Sequence, residues 1–185
     1  MSCGLTKGRT EPCRDNVGGI KYIYLFPFVE YDDDEIDGTK GVEITEFPST
    51  TIYKYSVENA LYSENIVNDE NGINYAQNLT CTLTKQDVGT TKELNTIKDI
   101  DLRCIVEFNS GKFKMLGVYN SLRLTQYSIE SGGIKSDLNG YNLTFEGLEE
   151  YSAPFIDNLN TVGFYILLET SFFMLLESGD KITLE

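Results

Sequence analysis

The end of the chain repeats itself: Phe164 to Glu169 (FYILLE), then Phe172 to Glu177 (FFMLLE), then Lys181 to Glu185 (KITLE), with glutamates 169, 177 and 185 eight residues apart. Short apolar segments separated by the pairs Thr170, Ser171 and Ser178, Gly179 have the spacing of a minimal β-meander. Such strands leave unpaired amides and carbonyls, which the rest of the chain or a neighbouring copy must cover. This feature favours assembly over chemistry.

Composition agrees. The chain has 185 residues, no histidine and no tryptophan, and 29 acidic against 15 basic residues, for a net charge of -14. Without histidine, the Ser/His, Cys/His and histidine-metal sites are excluded, leaving carboxylate pairs and thiols as the material for an enzyme. The pairs Glu149, Glu150 and Asp99, Asp101 have no partner at a readable spacing and fit solvated surface better than catalysis; the expectation is no enzyme and no cofactor. An acidic surface repels phosphate, which argues against tight nucleic-acid recognition but not against a wall past which DNA slides. No apolar run reaches the roughly 18 residues of a membrane span, and the N-terminus lacks a secretory core, so a soluble protein made in the cytoplasm is expected.

In that compartment the four cysteines are expected as thiols. Cys3, Cys13, Cys81 and Cys104 contain no C-x-x-C pair, so no metal site is expected. Cys81 and Cys104 fall in strands, where small buried thiols are common, while Cys3 and Cys13 could meet across an N-terminal loop. The sequons at Asn78 and Asn142 read as strand residues.

Along the chain, residues 1–18 form an irregular arm, 19–157 a β-domain and 158–185 the strand repeat. Ile20 to Val29 is the first strand, with Pro27 suggesting an edge or a bulge. The acidic stretch Tyr31 to Gly38 lacks the bidentate glutamate of a calcium loop and reads as solvated. Strands follow at 42–47 and 52–58, then a long hairpin, 61–67 and 73–84, around Asn71 and Gly72. In its second arm Tyr75, Gln77, Leu79, Cys81 and Leu83 face one way, and Asn74, Ala76, Asn78, Thr80 and Thr82 the other. That second face, without charge or large apolar groups, is either an ordinary solvated sheet face or the lining of a channel. One helix is expected between Thr90 and Asp101, opened by a capping box from Thr90 to Glu93. Strands at 103–108, 112–119, 121–130 and 138–146 complete an antiparallel β-sandwich with one flanking helix and a C-terminal β-meander.

Cys3 and Gly4, Cys13 to Asp15 with Gly18 to Lys21, the hairpin end at Asn71, Gly72 and Tyr75, and Asp137 to Phe145 together resemble tail tube (major tail) proteins of tailed phages that infect Bacteroides and related bacteria. The terminal repeats are similar to strand-rich additions in virion proteins of those phages. The resemblance covers most of the chain. It implies a two-sheet sandwich with one helix, six copies per ring and rings stacked into a tube that conducts DNA without binding it specifically. It further implies other tail proteins as partners, no membrane, and residence in the virion tail after assembly in the host cytoplasm.

On this basis the hairpin 61–84 is the expected inner wall, with Asn74, Ala76, Asn78, Thr80 and Thr82 toward the lumen. The acidic Asp32, Asp33 and Asp34 would fall in an inter-ring loop, where they could repel or meet Lys7, Arg9 and Arg14 of the next ring. The alternatives are another virion component (a tail terminator, a connector ring or a decoration protein) and a carbohydrate-binding β-sandwich, for which the tyrosines are the only support.

Overall fold

The computed structural model describes residue 8 and residues 17–31, 35–69, 72–134, 137–157, 159 and 164–167. These form twelve strands and one helix: β1 (Ile20–Pro27), β2 (Asp37–Thr39), β3 (Glu43–Glu46), β4 (Thr50–Ser56), β5 (Glu58–Asp69), β6 (Gly72–Thr84), α1 (Val88–Ile97), β7 (Leu102–Phe108), β8 (Phe113–Leu116), β9 (Arg123–Glu130), β10 (Gly140–Glu149), β11 (Phe155–Ile156) and β12 (Phe164–Leu167). Sheet A has the order β12-β4-β1-β7-β8-β11-β3-β2, and sheet B the order β5-β6-β10-β9. The fold is mainly β, sandwich-like, with one helix, in agreement with the sequence.

Sheet A is curled. β3 and β4 lie five strand steps apart, which is roughly 24 Å in a flat sheet. The chain joins Glu46 to Thr50 directly, a span of at most about 14 Å. The curl encloses a core of Tyr24, Phe26, Ile44, Phe47, Ile52, Ile105, Met115, Val118, Ile156 and Leu159, to which β3 and β4 both contribute. A second core lies between sheets A and B, where Ile23, Leu25, Cys104 and Val106 meet Leu79, Cys81, Leu83, Tyr141, Leu143 and Phe145, with Leu94 and Ile97 of the helix. The central strands β1 and β7 therefore bury both faces and read as near-continuous apolar runs, the pattern of strands covered on both sides.

Several expectations are corrected. β1 is a central strand, paired with β4 and β7, and not an edge; Pro27 is its last residue, opposite Leu102, where the ladder is ending. The helix begins at Val88, because Asp87 is the N-cap: its Oδ1 accepts from the Thr90 N–H at 2.8 Å and its Oδ2 from the Thr90 hydroxyl at 2.7 Å. Thr90 is thus the capped residue and not the cap. A charged carboxylate at the positive helix end outcompetes a threonine box three residues later. The helix also ends at Ile97, and Ile100 is exposed. Two strand pairs, β11 with β3 and β12 with β4, are parallel, so sheet A is mixed where antiparallel pairing throughout was expected. A short strand, β2, begins within the last two residues of the acidic stretch, at Asp37. Of the C-terminal meander, only β12 falls among the described residues.

Candidate functional surface

Sheet B has one buried and one open face. Along β6, Gln77, Leu79, Cys81 and Leu83 are buried, whereas Asn74, Ala76, Asn78 and Thr80 are half-buried on the opposite side, and Thr82 is buried there. The alternation expected from the sequence holds. The register adds what one strand could not show. Across from Thr82, Thr80, Asn78 and Ala76 on β10 stand Asn142, Thr144, Glu146 and Leu148. On β5, Leu61, Ser63, Asn65 and Val67 oppose Thr80, Asn78, Ala76 and Asn74. β9 adds Gln126 and Ser128.

The open face thus carries short amides and hydroxyls at its centre and, on β5 and at the far end of β10, the exposed apolar side chains Leu61, Val67 and Leu148, which β6 alone did not reveal. Thr82 Oγ1 donates to Asn142 Oδ1 at 3.0 Å, Asn142 Nδ2 to Glu130 Oε1 at 2.7 Å, and Asn78 Nδ2 to Glu146 Oε1 at 3.2 Å. Both sequon asparagines are engaged in these cross-strand bonds. The face carries carboxylates that β6 alone did not reveal, and no lysine occurs on any of the four strands. Their one basic residue, Arg123, is held by Asp101 in a two-point ion pair, with the second bond, Nη2 to Oδ2, at 3.2 Å. That pairing holds the Asp101 carboxyl below its usual range. A shallow depression of about 460 Å³ lies at mid-sheet, lined by Asn65, Ala76, Asn78, Glu146 and Leu148 with the backbone of Gln77 and Gly147. Neither edge strand, β5 or β9, has a second partner in the sheet among the described residues.

At one end of the sandwich the sheets are joined by buried polar groups. The loop 117–121 is held from three strands. Gln77 Oε1 accepts from the Gly117 N–H at 3.0 Å, Arg103 donates Nε and Nη2 to the Val118 carbonyl at 3.0 and 2.9 Å, and the Glu149 carboxylate accepts from the Tyr119 and Asn120 amides at 3.0–3.1 Å. Gly147 admits the loop, since a Cβ there would stand 2.6 Å from the Ser121 carbonyl oxygen. Arg103, 1 % exposed, stacks on Phe28 at 4.2 Å and Tyr31 at 4.9 Å; burial lowers its pKa to about 10. Burial pushes Glu149, also 1 % exposed, up to about 7, against the pull of the loop amides and of Arg103.

Nearby, Glu64 of β5 accepts from the Ala153 amide at 2.9 Å and the Tyr62 hydroxyl at 2.6 Å, and lies 3.6 Å from Lys114 Nζ of β8. Glu64, Gln77 and Arg103 are structural ties that the sequence did not single out, and Glu149, expected on a solvated surface, is a buried fourth. Apart from Tyr62 beside Glu64, their partners lie 15 to 89 residues away along the chain, so no local motif marks them.

The remaining candidates do not converge. Glu149 is a buried backbone acceptor, whereas its neighbour Glu150 is exposed; Asp101 pairs with Arg123, while Asp99 lies beside Lys98. Cys81 and Cys104 are buried thiols, both pushed up by burial, Cys81 to about 12. Among the described residues no cluster of three cysteine or carboxylate side chains could hold a metal, and no helix is long and apolar enough to cross a membrane. Asp32, Asp33, Asp34, Lys7, Arg9, Arg14, Cys3 and Cys13 lie outside the described residues. Comparison with protein-family models, curated proteins and solved structures finds no match.

Proposed function

We propose that the chain is a structural subunit that self-assembles into rings stacked as a phage tail tube, with the open face of sheet B lining a DNA-conducting lumen. The observation that carries this reading is the charge of the open face: carboxylates among short polar and a few aliphatic side chains, no lysine, and an arginine already bound to Asp101. A conduit must not hold its cargo. Each free lysine or arginine on its wall would add a phosphate contact and slow the DNA, whereas like charge keeps the two apart.

The edges support the same reading. β5, β6, β10 and β9 are all antiparallel to their neighbours, so the two edges run in opposite directions. Copies related by rotation about a ring axis would set β5 beside the next copy's β9 with the alternation unbroken, removing both edges at once. Six copies at the spacing of paired strands would close a circle roughly 37 Å across, before strand tilt widens it.

Negative-stain electron microscopy with mass photometry over a concentration series tests this. Hollow rings or stacked tubes are the expected result, and a particle that stays monomeric at every concentration would overturn it. A single closed ring that never stacks would point instead to a terminator or connector among virion parts. The depression at Ala76 favours one further reading, a carbohydrate-binding sandwich. The open face has no aromatic side chain among its described residues on which a sugar ring could stack. Reproducible binding on a glycan array would revive that reading.

A further inference from the structure

The register of sheet B leaves one carboxylate without the partner that stands opposite it. Glu146 of β10 faces Arg123 of β9, the one basic residue on the four strands. Opposite charges so placed on neighbouring strands ordinarily pair. Arg123 is engaged instead by Asp101, outside the sheet, and among the described residues no other cation meets Glu146. Glu146 Oε1 accepts from Asn78 Nδ2 at 3.2 Å, a neutral hydrogen bond that leaves the negative charge in place.

The depression beside Glu146 supplies the rest of a site. Ala76 has the smallest side chain of its cross-strand row, between Leu148 and Asn65, and the hollow of about 460 Å³ opens there. Its lining has two halves. Glu146, Asn78 and Asn65 bring acceptors, the carboxylate and two carboxamide oxygens; because Asn78 gives an N–H to Glu146, its own oxygen is left to accept. Leu148, 49 % exposed, and Ala76 bring aliphatic surface.

These features select among ligands. Anions are repelled, since the four strands hold no lysine and their arginine is engaged. A hard divalent metal wants several oxygen ligands, and among the described residues no three carboxylates converge. A primary ammonium brings three N–H donors and no acceptor, which suits three acceptors around one negative charge. An unbranched stem behind it can lie along Leu148 and Ala76 while the charged head stays at the polar side.

We infer that the depression at Ala76 binds a small protonated aliphatic amine, its ammonium held by Glu146 with Asn78 and Asn65 and its stem laid against Ala76 and Leu148. Such a cation exchanges with solvent, so it lowers the charge of the face without tethering phosphate as a fixed lysine would. The site lies within one copy of the chain. Its failure would leave the tube reading standing, and failure of the tube reading would leave the site.

Ligand-observed saturation-transfer NMR on the full chain, with butylammonium as the probe at low salt, tests it. Butylammonium should bind at least about tenfold more tightly than tetramethylammonium, which has the charge but no N–H, and than butanol, which has the stem but no charge. Glu146→Gln should weaken binding by about tenfold, and Ala76→Leu, which fills the hollow and keeps the charge, by about fivefold or more. Glu58→Gln, which removes the same unit of charge from the exposed start of β5, should leave binding within about twofold, with circular dichroism unchanged in all three variants. Equal loss in Glu146→Gln and Glu58→Gln, or equal binding of tetramethylammonium, overturns the site, since either would reduce it to the general attraction of a chain of net charge -14. Undiminished binding by Ala76→Leu, or no binding of butylammonium, overturns it as well. Nα-acetyl-lysine amide, the same ammonium on a peptide unit, should bind no more tightly than butylammonium; tighter binding would overturn the free amine in favour of a protein lysine.

Discussion

Sheets A and B are built from similar residue types and do opposite things with them. Sheet A curls until its central strands bury both faces, Ile23 and Leu25 on one side of β1 and Tyr24 and Phe26 on the other. Its cations are tied to rings or acids: Lys54 sits 3.6 Å over Tyr22, Lys114 lies between Tyr62 and Phe155 beside Glu64, and Arg103 is caged. Sheet B stays open and buries one face, leaving the other to short polar groups, carboxylates and the exposed Leu61, Val67 and Leu148, without lysine. A sheet whose outer face is relieved of packing is free to be chosen for what passes over it. The sheet that carries the stability cannot be varied in that way.

The sharpest test of this division is a pair of substitutions. Ile105 is fully buried inside the curl of sheet A, and Ile105→Ala should cost about 3–4 kcal/mol in urea unfolding, from lost burial plus the cavity left behind. Thr144→Ala, on the open face of β10, should stay within about 0.5 kcal/mol. Equal costs would break the contrast between scaffold and presented face.

The tie between the sheets gives a pH signature. The Glu149 carboxyl is raised from 4.5 to about 7 in the folded protein, so between those values the folded state keeps a proton that the unfolded chain has released. Its contribution is therefore fully present below about pH 4.5 and is lost as pH rises through 7, up to about 3 kcal/mol for this group. Stability measured from pH 5 to 8 should fall with rising pH, and Glu149→Gln should flatten the slope. Asp87, Asp101 and Asp137 are all lowered and stay ionised through that window, so they do not mask the effect. A profile identical in the variant would show that Glu149 does not carry the dependence.

Local pattern made sheet B legible. The long hairpin, the two faces of β6 and the partner strand β10 all follow from alternation and from Asn71 and Gly72, because each pairing is antiparallel and near in sequence or openly amphipathic. Sheet A was legible strand by strand but not in its order. Strands buried on both faces give no in-and-out signal, and the pairings of β11 with β3 and β12 with β4 join segments more than a hundred residues apart. The polar ties failed for a related reason. Alternation puts Gln77 on the inward face of β6, and Glu149 lies beyond the strand expected to end at residue 146, but only the packing of loop 117–121 beneath Gly147 shows what they hold there.

A smaller effect belongs to the helix that closes the core between the sheets. Asp87→Ala removes the carboxylate that accepts from the Thr90 amide and should destabilise the helix N-terminus, while Asp87→Asn should keep most of the cap. The helix is also tied to β10, since the Tyr141 hydroxyl donates to the Asp87 carbonyl at 3.0 Å and shares a hydrogen bond with the Thr91 hydroxyl at 2.7 Å. Loss of the cap should therefore fray the first turn, seen by hydrogen exchange, before it loosens the core.

The smallest change in stability should accompany the largest change in behaviour. Thr80 stands mid-strand on the open face between Leu61 and Thr144, half-buried and away from both cores. Thr80→Lys adds a long, strongly hydrated side chain whose ammonium reaches solvent, so unfolding should shift by no more than about 0.5 kcal/mol. In an assembled tube the same substitution would repeat once per copy around the wall, turning an acidic surface into a ring of phosphate contacts. Assemblies of the variant should then retain DNA at low salt and release it steeply as salt rises, because each contact releases counterions on binding. Assemblies of the parent chain should retain none under the same conditions. If variant assemblies passed DNA as freely as the parent, the open face of sheet B would not be the surface that DNA meets, and the division of labour between the two sheets would need another explanation.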